Sequence, residues 1–258
     1  MSARVQHSEA LDALGRIAHG FSTRHGGVSI GTRAALDLDD PHDAHRVENW
    51  RRLLSDLGLG STDRVAWLKQ VHGDTIVAVT APAGPLVPVA EGDALYTTEP
   101  GVVLAVRTAD CVPVLLAGPG VVAAAHSGWR GTAVDIVGKL VQTLVAEVDI
   151  DPADLVAAVG PAIGQPSYEV GPEVVAGLAA TGLAPEVYGR RPSPANPDSR
   201  YLVDLKAAVA AQLARRGVER IDVSEACTRT DDAFYSVRRD GPDTGRQVGL
   251  IALRENAP

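Results

Sequence analysis

Three residues of this 258-residue chain combine ligand chemistry with a place at the end of an apolar run: His72, Cys111 and His126. Two of them bracket one stretch, "TADCVPVLLAGPGVVAAAHSGWRG" (residues 108–131), whose apolar halves are separated by Gly118, Pro119 and Gly120. Such runs around a Gly-Pro-Gly signal predict a β-hairpin. A loop centred between Gly118 and Pro119 sets Leu116 opposite Val121, Val114 opposite Ala123 and Cys111 opposite His126. Directly opposed residues of an antiparallel pair hold their Cβ atoms about 4.5–5.5 Å apart, close enough for a sulfur and a ring nitrogen to take one metal ion. A catalytic zinc site takes three protein ligands and keeps a fourth position open. His72, in "LKQVHGDT", ends a strand-like run just before a Gly-Asp turn and supplies the third. Two plainer readings of Cys111 and His126 stand beside this one. They are a core cysteine next to a capping histidine, and a thiol nucleophile with its base.

The segment after His126 suggests a second chemistry. "HSGWRGTAVDIV" passes from strand through a Gly-containing turn into a predicted helix, so the amides of Gly128 to Thr132 and the Arg130 guanidinium can meet an oxyanion or phosphate. The structural alternative is Thr132 as a helix cap with Arg130 in solvent. His7, His19, His25, His42 and His45 fall in N-terminal, Gly-rich or polar-helix positions and read as surface residues. Cys227 reads as packing on a closing strand.

The elements that must position these residues belong to an ordinary globular chain, 45% hydrophobic and 22% charged, long enough for a large core. It reads as a single compact domain over residues 1–258, with residues 1–19 a loosely ordered segment. A formal charge of −8 without basic clusters among aromatics argues against nucleic acid. The N-terminus lacks the apolar core of a signal peptide, and no run approaches a membrane span, so the expected setting is cytoplasmic, with no membrane contact. In a reducing compartment a disulfide between Cys111 and Cys227 is not expected. "DAHRVENWRRLLSDLGLG" carries Val47, Trp50, Leu53, Leu54 and Leu57 at helical spacing. "TAVDIVGKLVQTLVAEV" presents a stripe from Val134 to Val145 that predicts one helix on the sheet. Further helices are expected in "GPEVVAGLAA" and "LVDLKAAVAAQLARRG", separated by a mobile loop, "YGRRPSPANPDSR". Strands and helices mix without regular βαβ alternation, which predicts an α+β fold with mixed β-sheets flanked by helices.

In order from about residue 20, "FSTRHGGVS", "KQVHGD", "GDALYT", "TADCVPVLL", "AAHSGWRGT", "VGPAIGQPSYEVGPEV" and "CTRTDDAFYSVRRDG" with "TGRQ" resemble the YfiH-like laccase-domain family. One departure is that "ALDLDDPHDAHRVENWRR" lacks the family's usual Asn-Leu-Gly step, and Trp50 follows Asn49 where Arg is common. The resemblance implies a zinc enzyme of purine nucleosides: phosphorolysis of adenosine, inosine and S-methyl-5′-thioadenosine, and hydrolytic deamination of adenosine. The family's His, Cys and His metal ligands fall on His72, Cys111 and His126, and copper is the weaker choice of metal. Phosphorolysis needs a cationic phosphate site, for which Arg24, Lys69 and Arg130 are the candidates, Arg130 favoured by its helix-entry position. Asp93 can hold the second nitrogen of a ligand histidine, accept a ribose hydroxyl, or be no more than an exposed turn carboxylate. Three other functions compete: a cysteine hydrolase using Cys111 and His126, a copper polyphenol oxidase, and a non-catalytic partner of cell-wall or division machinery. Seven histidines, most in poor positions, do not supply several copper sites. No G-x-G-x-x-G, Walker loop or H-E-x-x-H occurs.

Overall fold

The computed structural model describes residues 4–192, 194, 195 and 200–255. The chain opens with β1 (Val5–Gln6), α1 (Glu9–Asp12), β2 (Ile17–Ser22) and, after a long loop, α2 (Asp43–Asp56). Next come β3 (Val65–Lys69), β4 (Ile76–Ala78), β5 (Ala90–Glu91), β6 (Ala94–Thr97), β7 (Val103–Thr108), β8 (Val112–Gly118) and β9 (Val121–Ser127). The helices α3 (Trp129–Ala133) and α4 (Ile136–Val148) lead to β10 (Val156–Val159), β11 (Glu169–Val170), α5 (Pro172–Ala180), β12 (Arg191–Pro192) and β13 (Tyr201–Leu202). The chain closes with α6 (Leu205–Arg215), β14 (Arg220–Val223), α7 (Val237–Asp240) and β15 (Gln247–Leu253). Residues 193 and 196–199 of the predicted mobile loop lie outside the described residues.

Two six-stranded sheets, ordered β1-β2-β15-β7-β3-β5 and β14-β10-β8-β9-β6-β4, carry the architecture, and both mix parallel with antiparallel pairs. Phe21, Leu104, Val106 and Ile251 of the first pack against Leu115, Val122, Ala124 and Val156 of the second, so the sheets lie face to face. The outer face of the first is covered by Trp50, Leu53 and Leu54 of α2. That of the second is covered by α4, α5 and α6 through Leu140, Leu144, Val174, Leu178 and Leu213. Burial on both faces explains why β8 and β9 are apolar without alternation. The long loop before α2 is held by Asn49, whose Nδ2 donates to Ser29 Oγ and the Asp37 carbonyl while its Oδ1 accepts from the Val28 amide. Trp50 Nε1 donates to the Leu38 carbonyl at 3.0 Å. Val47, expected on the buried face of α2, is instead 47% exposed.

The hairpin forms with a shifted register. Gly118 pairs with Val121 and Pro113, rather than Cys111, stands opposite His126. The turn is Pro119-Gly120, with Gly120 at φ +73°, a position that suits Gly after Pro. Moving the turn by one residue displaces every cross-strand partner by two positions, which keeps each side chain on its face. Cys111 therefore stays on the His126 side, as a diagonal neighbour just before β8.

Two further expectations change. The stripe from Val134 to Val145 is not one helix: Val134 is the C-cap of α3, Asp135 breaks the helical run at φ +58° with its carboxylate receiving Arg216 Nη2 at 2.6 Å, and α4 carries the rest from Ile136. Val134 and Val145 are about 40% exposed. Residues 4–19, expected to be loosely ordered, carry β1, α1 and the start of β2. His19, read as a surface residue, is buried there at 1% exposure, with Nε2 accepting from the Ser8 amide at 3.0 Å and Nδ1 making no hydrogen bond among the described residues. Burial lowers its pKa, outweighing Asp12, whose carboxylate lies 3.9 Å away. A depressed histidine pKa means that the unfolded chain binds more protons below about pH 6.5, so stability falls with pH through that window. Thermal unfolding between pH 7.5 and 5 should show this decline, and a His19→Gln protein should show a shallower one. Equal slopes would exclude His19 as its source.

Candidate metal centre

His72, Cys111 and His126 meet where the chain passes between the sheets. β3 ends at Lys69, and the Gln70 side chain extends its pairing: Nε2 donates to the Arg107 carbonyl and Oε1 accepts from the Arg107 amide, both at 2.8 Å. The turn that follows holds His72 at φ +60°. Cys111 lies in the crossover from β7 to β8, after Asp110 at φ +92°. His126 comes from β9 and is 3% exposed, while Cys111 is half-buried and His72 exposed. One ligand atom from each of the three lies within 4.8 Å of the others, and the two imidazole rings meet edge to face at 4.8 Å. Gly128 makes the approach sterically feasible, since a Cβ there would come within 2.9 Å of Cys111 Sγ and 3.3 Å of His72 Cδ2.

Asp93, fully buried just before β6, lies behind the histidines. Its Oδ1 accepts from His126 Nδ1 at 2.8 Å and from the His72 amide at 3.0 Å. Its Oδ2 accepts from the Gly73 and Val71 amides at 2.7 and 3.2 Å. Burial pushes this carboxyl up, but the hydrogen bonds from His126, Gly73 and His72 outweigh it and hold the pKa below the usual value. Burial likewise opposes charge on Cys111 and His126. Their mutual attraction and hydrogen bonds prevail, lowering the thiol to about 6 and raising the imidazole to about 9. The pair favours thiolate and imidazolium, and a thiolate is the form that binds metal or attacks carbon.

The trio opens on a two-lobed pocket, about 380 Å³ on one side and about 120 Å³ on the other. His72, Asp110, Cys111, Ile163 and Tyr168 line both lobes. Asp110 draws the walls together: Oδ1 accepts from Thr228 Oγ1 and Oδ2 from the Arg238 amide, both at 2.7 Å, and its carbonyl accepts from the Ile163 amide. Arg107, Arg238 and Arg246 line the larger lobe. Arg107 is paired with Asp39 and stacked 3.8 Å from the Trp67 ring centroid, Arg238 donates to the Glu169 carbonyl, and Arg246 donates to the Pro242 and Gly245 carbonyls. The smaller lobe holds Arg130, whose guanidinium lies 4.5 Å from the Trp129 ring centroid and meets no hydrogen-bond acceptor among the described residues.

Of the other cationic candidates, neither Arg24 nor Lys69 lines a lobe. Arg24 donates twice to the Ala34 carbonyl beneath Tyr235, and Lys69 pairs with Glu91 at 2.5 Å. The helix behind Arg130 is the single short turn α3, so the anion reading there rests on the guanidinium rather than on a helix terminus. Thr132 does not cap it; its hydroxyl donates to the Gly128 carbonyl. The lining residues Gln70, Asp110, Tyr168, Arg238 and Arg246 stand inside quoted motifs, yet nothing in residue type or spacing marks them as facing one pocket.

Cys227 lies beyond β14, which ends at Val223, and forms an isolated bridge with Ala162 rather than sitting on a closing strand. Both cysteines are free. A second group, His7, Asp12 and His19, also has ligand atoms within 4.8 Å of one another. Because the Ser8 amide donates to His19 Nε2, the neutral ring carries its proton on Nδ1, the atom facing the group, and so offers no lone pair there. No helix among the described residues is long and apolar enough to cross a membrane.

A family model described as multi-copper polyphenol oxidoreductase laccase matches residues 18–254. A curated purine nucleoside phosphorylase of Deinococcus radiodurans is 44% identical over 241 residues, covering 92% of this chain and 89% of that one. Purine nucleoside phosphorylase YfiH of Escherichia coli is 38% identical over 241 residues, covering 90% and 92%. Among solved structures, YlmD from Geobacillus stearothermophilus matches with a TM-score of 0.85 at 38% identity over 93% of both chains. The hypothetical protein YfiH of Bacillus licheniformis matches with a TM-score of 0.90 at 29% identity over 98% of both.

Proposed function

The chain belongs to the YfiH-like laccase-domain family, and from that membership we propose that it is a zinc-dependent purine nucleoside phosphorylase that also deaminates adenosine. The observation that carries this reading is the convergence of two imidazoles and a thiolate-favouring cysteine beside Gly128, at the junction of the pocket lobes. The donor set suits zinc, and His72, Cys111 and His126 would hold it. When bound with an open position, Zn²⁺ lowers the pKa of its water to about 7, the source of hydroxide that deamination needs.

The larger lobe, with Ile163, Tyr168 and Val237 on its walls, is the place for the nucleoside: adenosine, inosine or S-methyl-5′-thioadenosine. Phosphate falls to Arg130, the lining guanidinium that meets no acceptor among the described residues. Incubation with adenosine should release adenine and a ribose phosphate when phosphate is present, and inosine when it is absent. A protein giving neither adenine with phosphate nor inosine without it is not this enzyme.

One observation favours a second reading. Cys111, His126 and Asp93 form a thiol, imidazole and carboxylate series, the order of a cysteine hydrolase triad. His72 separates the two, because a His72→Ala protein keeps that series and loses a metal ligand. Turnover that survives in this variant, or after chelation, belongs to the hydrolase. Elemental analysis distinguishes zinc from the copper of the family description.

A further inference from the structure

We propose that Asp93 is the positioning residue of the metal centre, one carboxylate that sets both the turn carrying His72 and the ring orientation of His126. The proposal rests on the metal reading above. Asp93 receives three consecutive amides, Val71 to Gly73, and one imidazole nitrogen, and it is fully buried. Four donors fill the roughly four acceptor positions of a carboxylate, so none remains for a ribose hydroxyl. The amides come from the turn in which His72 sits at φ +60°, a conformation that a β-carbon disfavours and that surrounding bonds must impose. The imidazole contact fixes a proton on His126 Nδ1, so Nε2 is the nitrogen that a ligand meets once the ring gives up its second proton. A histidine from the turn after β3 and one from β9 thereby take their places from a single side chain. The backbone of Asp93 is bound independently, its amide to the Thr75 carbonyl at 3.0 Å and its carbonyl to the His126 amide at 2.7 Å. Changing the side chain therefore leaves the strand pairing intact.

Asp93→Asn keeps the shape and creates a conflict on one side or the other. With its NH₂ toward His126, the ring is driven to the tautomer whose proton occupies Nε2. With its NH₂ toward the turn, two donors face the Val71 and Gly73 amides and His72 is released. Either arrangement removes a histidine from the site. Zinc affinity, measured by competition with a chromophoric chelator, should fall about 10- to 100-fold in Asp93→Asn, with unfolding still cooperative. In zinc-loaded wild-type protein, two-bond ¹H–¹⁵N correlations should show His126 coordinated through Nε2 and protonated at Nδ1. Coordination through Nδ1, or equal zinc affinity in the two proteins, overturns the role of Asp93. The wild-type spectrum alone decides if the variant does not fold. A wild-type protein that takes up no zinc overturns the metal reading instead.

Discussion

A Cys111→Ser protein is expected to fold normally and to lose its metal and its turnover together. Zinc ligands bind deprotonated, and a serine hydroxyl, unlike the Cys111 thiol held near 6, keeps its proton at neutral pH. A serine hydroxyl is smaller than the thiol it replaces, so the space beside Gly128 takes it without a clash. Replacing a ligand outright should exceed the roughly 10- to 100-fold cost of losing a supporting residue, so zinc affinity should fall by more than about 100-fold. Elemental analysis after equilibrium dialysis should find close to one zinc per wild-type chain, about what a single three-ligand site holds, and little in the variant. Phosphorolysis and deamination should fall with it. Full zinc in Cys111→Ser, or an active wild-type protein without zinc, would remove Cys111 from the metal site.

The second large effect concerns phosphate alone. Arg130→Ala should keep its zinc, because the guanidinium contacts Trp129 and neither ligand histidine accepts a hydrogen bond from it. Removing one charge-assisted contact costs roughly 1.5–3 kcal/mol, or about ten- to over a hundredfold in the rate of phosphorolysis at subsaturating phosphate. The KM for phosphate should rise most. Hydrolytic deamination of adenosine, which uses no phosphate, should fall much less. The informative quantity is the ratio of the two activities, since a change in the fold would lower both alike. A parallel loss with zinc retained would assign Arg130 to the nucleoside, and the phosphate site would pass to the arginines of the larger lobe.

The sequence by itself determined which three side chains come together and roughly where. Ligand type and position at the ends of apolar runs singled out His72, Cys111 and His126, and pairing parity placed Cys111 and His126 on one face although the turn fell one residue later. Parity survives such a shift because strand side chains repeat every two residues, whereas the opposed partner does not. The mixed α+β class was legible for a related reason, since apolar period and turn residues are local signals. What lay beyond it was how the two sheets stack, because β8 and β9 are apolar on both faces and carry no mark of which face meets the other sheet. The break at Asp135 was equally hidden, being stabilised by Arg216, the C-cap of α6, 81 residues away in the chain. Among Arg24, Lys69 and Arg130 the sequence favours Arg130 for its place at a helix entry, but α3 is a single short turn. What separates the three is tertiary: Ala34 and Glu91 are partners for the first two, and the third guanidinium meets no acceptor among the described residues. The three readings of Asp93 were open for the same reason: a carboxylate's role depends on its burial and on which donors reach it, and here full burial removes the exposed-turn reading while the donors come from residues 71–73 and 126, brought to one point by the packing of the two sheets.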